Sequence, residues 1–272
     1  MKTKLLIILF LSFTIWHLHA QSFEGIVKDA KTNEPLSFVN VGIVGKSIGT
    51  VTDDNGHFNI TPNGNINDTL KISMVGYTPY TVSINDFVKG PPKGNVFLLT
   101  PFNQQLAEVK IKGGKLKEAI LGNTTQSKST DAGFTSNKLG NEIGEIIKIR
   151  KSPTLLKKFN CSIVVAPNDS VKLRLNFYTV KDGLPDKIIQ TKNIFVTVKK
   201  GDEKIEVDLK PYNIYVEDKF FVSLEWIQNS GGHGIMFSAS LFGSAIISRE
   251  TSQANWEKIG IAGVGFNLLA AY

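Results

Sequence analysis

Short runs in which apolar and polar residues alternate, separated by turn residues, are the dominant pattern of this chain. Between residues 23 and 100 these runs include FEGIVKD, HFNIT and YTPYTVSI, and the turn segments AKTNEP and DNG lie between runs. Because successive side chains of a strand point to opposite faces, a period of two predicts strands that are buried on one face. About seven such strands, with no helical period between them, predict a small antiparallel β-sandwich over residues 21–101.

A second series of alternating runs begins near residue 141 and continues to residue 272. It contains eight or nine candidate strands, among them VKLRLNFYTV, FFVSLEWI and GVGFNLLAAY. This number of short strands predicts a second sandwich, of jelly-roll type, over residues 141–272. The fold class predicted for the whole chain is therefore all-β.

Residues 102–140, between the two series, are polar, contain glycine and show no period. From Phe102 to Asn160 there are eleven basic residues and five acidic ones, whereas the two flanking parts are almost neutral. The composition predicts a solvated, basic linker between the sandwiches. Contact of this basic segment with an anionic envelope polymer or a lipid head group is the alternative.

The first 20 residues have the order of a secretory signal peptide. Lys2 and Lys4 precede an apolar run from Leu5 to Trp16, and a short polar stretch ends at the small residue Ala20. This order predicts cleavage after Ala20 and export, with association with the periplasm or the outer membrane, or secretion. An uncleaved signal anchor is the alternative, although the run is shorter than the roughly 20 apolar residues that span a bilayer. No later segment predicts a transmembrane helix, and export disfavours nucleic acid as a partner.

A single cysteine, Cys161, limits how the fold can be stabilised. One cysteine cannot form an intramolecular disulfide, so both sandwiches must depend on apolar cores. Cys161 lies in the apolar run KFNCSIVVA, and we expect its thiol to be a packing group rather than a reactive one.

The segment GKSIG, Gly45–Gly49, matches two chemical motifs, but its context fits neither of them. A nucleophile elbow of the G-x-S-x-G type needs a helix after the serine, and a phosphate-binding loop needs a glycine where Asn40 stands as well as a following helix. The residues after Ser47 predict a strand and a hairpin instead. We therefore interpret GKSIG as a glycine-containing connection between two strands.

The first predicted sandwich resembles the carboxypeptidase-like regulatory domain, which is also called the carboxypeptidase D regulatory-like domain. The resemblance depends on the segments GIVKDAKTNEPLSFVNVGI, GTVTDDNGHFNI and LKISMVGY. The residues that match the family pattern are Gly25, Val27, Asp29, Pro35, Leu36, Thr52, Asp53, Gly56, Phe58, Val75, Gly76 and Tyr77. The resemblance implies a transthyretin-like, seven-stranded sandwich of the kind common in envelope proteins of Bacteroidetes-type bacteria. In that family these residues form turns and core, so it implies no catalytic role for them.

Few residues of the exported chain could support catalysis. After removal of the signal peptide only His57 and His233 remain, and no H-x-x-E pair of a zinc carboxypeptidase is present. A Ser-His-Asp triad would need one of these two loop histidines. We therefore expect no catalytic residue, no metal, no cofactor and no enzymatic activity.

Aromatic residues of the second sandwich are the only candidate binding residues that the sequence offers. Exposed Trp and Tyr rings can pack against the apolar faces of sugars, and Trp256, Tyr212 and Tyr215 lie in polar surroundings. Trp226 shares its strand face with Phe220, Val222 and Leu224, so we expect it in the core. Buried anchoring is the alternative interpretation of the first three rings.

The predicted function is that of an exported, non-enzymatic interaction or structural module of the cell envelope, whose partner is an envelope protein or a cell-surface glycan. A glycan-binding module that acts through the second sandwich is the alternative, and a hydrolase of unrecognised type is a further one. A hydrolase would need His57 or His233 in a pocket beside a carboxylate and a nucleophile.

Overall fold

The computed structural model describes residues 22–61, 65–90, 93–102, 116–228, 234–260 and 262–272. Within these ranges the chain forms strands arranged in sandwiches, with little helix. The predicted all-β fold class is therefore confirmed. The predicted signal peptide, residues 1–20, lies outside the described residues. No helix of the described ranges is both long and apolar enough to cross a membrane.

The first sandwich consists of seven strands, the number that the sequence predicts. They are β1 (Phe23–Asp29), β2 (Asn40–Ile43), β3 (Gly49–Val51), β4 (His57–Ile60), β5 (Thr69–Ser73), β6 (Tyr80–Ser83) and β7 (Val96–Leu99). One sheet has the order β4-β1-β7, and the other has the order β3-β2-β5-β6. All pairings are antiparallel except that of β1 with β7, which is parallel.

The core of the first sandwich follows the alternation of its strands. In β1 the side chains of Phe23 and Val27 are buried, whereas Glu24 is exposed. A short helix, α1 (Ile84–Lys89), closes one end of the core, where the ring of Phe87 lies 4.9 Å from that of Phe23. The Ser83 hydroxyl caps this helix by accepting a hydrogen bond from a backbone N–H of its first turn.

The second sandwich consists of two larger sheets. Its strands are β8 (Glu118–Gly122), β9 (Asp131–Gly133), β10 (Glu142–Ile147), β11 (Thr154–Val165), β12 (Val171–Lys181), β13 (Leu184–Ile188), β14 (Ile194–Val198), β15 (Lys204–Asp208), β16 (Tyr215–Val216), β17 (Phe220–Trp226), β18 (Met236–Leu241), β19 (Ile246–Arg249), β20 (Glu257–Ile259), β21 (Ala262–Val264) and β22 (Phe266–Ala271). One sheet has the order β13-β12-β17-β10-β19-β20, with β14 also paired to β12. The other has the order β21-β18-β11-β22-β8, with β15 and β16 paired to β11 and β9 to β18. The chain crosses repeatedly between the sheets, and the core lies between them.

Two strands lie in the range for which the sequence predicts a linker. Strand β8 pairs with β22, and β9 pairs with β18, so both belong to the second sandwich. Most side chains of these strands are exposed or half-buried, because β8 lies at the edge of its sheet and β9 is only three residues long. Such a strand has a weak apolar pattern, which is why residues 116–140 resemble a linker in sequence. Residues 103–115 of the predicted linker lie outside the described residues.

Strand β17 departs from the predicted alternation, because all seven of its side chains are buried. Phe220, Val222, Leu224 and Trp226 belong to the core between the two sheets, as the sequence predicts for Trp226. The side chains of the opposite face, among them Ser223 and Glu225, point away from that core and are nevertheless buried. The first sandwich and the segment after β19 cover this outer face, and the contacts there define the candidate site.

Candidate functional site

The GKSIG segment connects β2 to β3, and it contacts the second sandwich. The backbone N–H of Gly45 donates to the carbonyl of Gln253 (2.9 Å), and the Asn255 side-chain amide donates to the carbonyl of Gly45 (3.1 Å). The Lys138 ammonium donates to the carbonyl of Ser47 (3.2 Å). Because β2 ends at Ile43 and β3 begins at Gly49, the interpretation of GKSIG as a strand connection is correct. Its role in docking two domains was not apparent from the sequence.

Two glycines allow the sandwiches to approach closely at this contact. A Cβ atom at Gly42 would lie 2.2 Å from the carbonyl oxygen of Ser252, and one at Gly49 would lie 2.4 Å from the same oxygen. Both distances are far below van der Waals contact, so only a residue without a side chain fits at either position. The segment after β19 thus rests directly on the backbone of the β2–β3 hairpin.

We expect the substitution Gly42→Ala to destabilise the protein, because the added methyl group must push the Ser252 backbone away from the first sandwich. Overpacking of this kind costs about 1–3 kcal/mol, and chemical denaturation of the purified chain measures it. Gly90→Ala is the matched control, because nothing lies within 4 Å of a Cβ at that position. Equal stability of the two variants would contradict the close docking of the hairpin.

A row of four charged residues crosses the outer face of the second sandwich beneath this contact. The strand registers place Arg174, Glu225, Glu142 and Arg249 side by side on β12, β17, β10 and β19. Arg174 pairs with Glu225 (2.9 Å) and Arg249 with Glu142 (2.5 Å). All four side chains are at most 9% exposed, and the formal charges of the row sum to zero.

Neutral polar groups add hydrogen bonds to the two carboxylates, although the Oε1 atom of Glu225 has no hydrogen-bond partner in the described ranges. The Asn176 amide nitrogen donates to Glu142 (2.9 Å) and to Glu225 (2.8 Å), so it joins the two acids that stand next to each other. The hydroxyls of Ser223 and Tyr178 also donate to Glu142. Burial and the neighbouring carboxylate of Glu142 raise the pKa of Tyr178 well above its ordinary value, so the phenol remains a donor. Buried charges are tolerated when they are paired and hydrogen-bonded in this way.

Arg174 extends this network into the first sandwich. Its guanidinium donates to the backbone carbonyl of Phe38 (2.8 Å) and to the side-chain oxygen of Asn40 (2.5 Å). An apolar contact lies beside it, where Phe38 and Val51 pack against Ile227. The two sandwiches therefore share one buried interface that has both polar and apolar parts.

A cleft of about 660 Å³ opens next to the charged row, between the two sandwiches. The first sandwich contributes Lys71, Ser73 and Tyr77 to its wall, and the second contributes Lys187, Thr191 and Trp256. Arg249 reaches the cleft with its guanidinium 4.6 Å from the centre of the Trp256 ring. The volume and the mixture of aromatic and polar walls are typical of ligand sites. We regard this interdomain cleft as the candidate functional site.

The structure separates the three aromatic residues that the sequence proposes as contacts. Trp256 lies at the interdomain cleft, where it packs edge-to-face against Tyr178 and Phe221 at ring distances of 5.8 and 5.2 Å. Tyr212 packs against the core of the second sandwich. Tyr215 lies on β16, which pairs with β11 in the sheet that does not contain the charged row. The three rings are all half-buried and do not form one platform.

His57 and the family-pattern residues around it have structural contacts. Asp53 accepts hydrogen bonds from the backbone N–H groups of Asn55 and His57 (2.9 and 2.8 Å), which fixes the β3–β4 hairpin. The carboxylate of Asp29 accepts the Tyr77 hydroxyl (2.9 Å), which holds the Tyr77 ring at the edge of the cleft. His233 lies outside the described residues. In the described ranges no three His, Cys, Asp or Glu side chains are grouped as metal ligands would be.

Cys161 is buried in the core of the second sandwich, as the sequence predicts. Burial raises the pKa of its thiol, so the thiolate needed for nucleophilic chemistry is disfavoured.

Comparisons with known proteins support the resemblance seen in the first sandwich. Residues 23–111 match the family model of the CarboxypepD_reg-like domain. No curated protein matches the chain.

Similar solved structures are distant. One contains the cysteine protease and lectin-like domains of Cwp84, a surface layer associated protein of Clostridium difficile, with 10% identity, a TM-score of 0.41, and coverage of 85% of this chain and 58% of that chain. A structure of the same protease after propeptide cleavage has the same identity and TM-score, and 64% of that chain is covered. A structure of infectious bursal disease virus has 11% identity and a TM-score of 0.25, with 92% and 62% coverage. The present chain thus spans less than two thirds of the length of each.

Proposed function

We propose that this chain is a non-enzymatic binding protein of the bacterial cell envelope, in which the two sandwiches act as one unit and bind a ligand between them. The observation that carries the proposal is the cleft whose walls come from both sandwiches, with Lys71 and Tyr77 on one side and Lys187 and Trp256 on the other. A site assembled from two domains exists only while the domains are docked. The close contact at Gly42 and the Arg174 hydrogen bonds across the interface favour that docked state.

The chemistry of the described residues supports a binding role over a hydrolytic one. His57 lies on a hairpin, with its Nδ1 atom 3.6 Å from the carboxylate of Asp53. That carboxylate accepts two backbone hydrogen bonds of the turn, and a separation of 3.6 Å is too long for a hydrogen bond to the imidazole, which favours a structural role for Asp53. In the ranges that the structure describes, the only thiol is the buried one of Cys161.

Location in the envelope is part of the proposal and is supported by the sequence of residues 1–20. Their charged, apolar and small-residue order is typical of an exported chain. An envelope protein or a cell-surface glycan is then the class of partner that the cleft can meet.

Site-specific photocrosslinking in intact cells tests the proposed function. A diazirine amino acid at Lys187, an exposed residue of the cleft wall, should capture an envelope component, which fractionation and mass spectrometry identify. The same amino acid at Lys199, an exposed residue outside the cleft wall, is the control. Capture of the same material at both positions, or at neither, would contradict the cleft as the binding site.

A further inference from the structure

Lys71 is a partly buried cation on the wall of the interdomain cleft. It lies on β5 between Leu70 and Ile72, whose side chains point into the core of the first sandwich, so its own side chain points to the opposite face. None of the ion pairs found in the described ranges includes Lys71. A half-buried ammonium without a carboxylate partner is costly, because it has lost water and gained no opposite charge.

The positive charge of Lys71 is unfavourable in its surroundings, so a bound anion would stabilise it. Burial, and then the positive charge of Arg249, lower the pKa of Lys71 below its ordinary value. The nearby carboxylates cannot relieve this repulsion, because Glu142 and Glu225 already pair with the two arginines of the row. On the opposite wall, Asp186 and Lys187 are adjacent exposed residues. Their charges are opposite, so together they add no net charge to that wall. An anionic group that enters the cleft would therefore gain most at Lys71.

The remaining lining of the cleft is suited to a sugar ring. Tyr77 and Trp256 offer aromatic surface, against which the C–H faces of a sugar can pack. Ser73 and Gln253, which are hydrogen-bonded to each other at 3.0 Å, and Thr191 offer hydroxyl and amide groups that can pair with sugar hydroxyls. The volume of about 660 Å³ is within the range of roughly 300–1,000 Å³ that is usual for small-molecule sites.

From these observations we infer that the cleft binds a carboxylate-bearing saccharide, with the carboxylate at Lys71 and the sugar ring between Tyr77 and Trp256. This inference rests on the proposed function and specifies its ligand class. It assigns specificity to Lys71, a residue of the regulatory-like domain, and not only to the aromatic residues of the second sandwich.

Titration calorimetry with acidic and neutral oligosaccharides tests the inference. The chain from Gln21 onward is titrated with trigalacturonate and trimannuronate, and with galactotriose as the neutral probe. At least one acidic trisaccharide should bind, and galactotriose should bind at least about tenfold more weakly, which corresponds to about 1.4 kcal/mol. Affinity for the acidic sugar should fall as salt is added, because screening weakens the contact with Lys71.

Variants of Lys71 test whether its charge contributes to ligand affinity, and denaturation curves separate that contribution from any effect on folding. Lys71→Gln should weaken binding of the acidic trisaccharide by about tenfold or more, and Lys71→Arg should retain most of the affinity. Lys200→Gln removes an exposed charge outside the cleft wall and should leave the affinity unchanged. A denaturation curve for each variant verifies that it is folded.

Several results would overturn the inference. These are failure of both acidic trisaccharides to bind, equal binding of galactotriose, or no effect of Lys71→Gln. Binding of triglutamate as tight as that of the acidic sugars would assign the cleft to peptide carboxylates instead. The crosslinking experiment distinguishes these failures from failure of the proposed function, because cleft-specific capture of a neutral glycan or a protein would refute only the ligand class.

Discussion

Replacement of Arg174 by leucine is expected to lower the free energy of unfolding by about 3–5 kcal/mol, which is the usual effect of removing one partner of a buried ion pair. Arg174 is 1% exposed and Glu225 is fully buried, so the substitution would leave a carboxylate without its counter-ion in the interior. The hydrogen bonds to Phe38 and Asn40 across the domain interface would also be lost. Urea denaturation followed by tryptophan fluorescence measures the effect, because Trp226 and Trp256 both lie in the second sandwich.

Two further variants determine how the result is interpreted. In the double variant Arg174→Leu with Glu225→Leu, most of the lost stability should return, because no charge remains buried alone. Lys158→Met removes one partner of the exposed ion pair with Glu206 (3.1 Å) and should cost no more than about 1 kcal/mol. If Arg174→Leu were as mild as Lys158→Met, the charged row would not stabilise the docked domains.

The charged row also illustrates what the sequence could not predict. Arg174 and Glu225 each lie in a strand that is otherwise mostly apolar. This was the only indication in the sequence that the two charged side chains are buried. Their pairing joins residues that are 51 positions apart, and it depends on the register of β12 with β17. Alternation predicts which face of a strand is apolar, but it does not predict that a second domain covers the polar face.

Local patterns, by contrast, were sufficient for the first sandwich. Strands β1, β4 and β5 alternate in the sequence as they do in the structure, and several motif residues form turns and contacts within the sandwich, such as Asp29 with Tyr77. The candidate site was only partly predictable, because Trp256 was identified whereas Lys71 was not. Lys71 has the appearance of any polar position in an alternating strand, and its importance arises only from the opposing sandwich.

Glu145 is a buried acid of a different kind from the two acids of the charged row. It lies on β10 between Ile143 and Ile147, and all three point into the core of the second sandwich. Neither carboxylate oxygen has a hydrogen-bond partner in the described ranges. The backbone N–H of Asn123, which lies near Glu145, donates to the carbonyl of Phe266 (2.9 Å) instead.

Burial therefore raises the pKa of Glu145 from 4.5 to about 8, and we expect the stability of the protein to decrease as the pH rises. The folded state retains a proton that the unfolded state releases above pH 4.5. The stabilisation from this proton is thus complete below pH 4.5 and is lost as the pH rises towards 8. Between pH 5 and pH 8 the titration of Glu145 should lower the free energy of unfolding by roughly 3–4 kcal/mol, at up to about 1.36 kcal/mol per pH unit.

Glu145→Gln removes the titrating group while keeping its shape, so its free energy of unfolding should lack this decrease between pH 5 and pH 8. Denaturation curves at several pH values measure the slope for the wild type and the variant. Glu206→Gln is the control, because the hydrogen bond from Lys158 lowers the pKa of Glu206 and its titration ends below this pH range. The control should therefore keep the wild-type slope. An unchanged slope in Glu145→Gln would mean that this carboxyl is not held neutral in the core, and that the pH dependence arises from other groups.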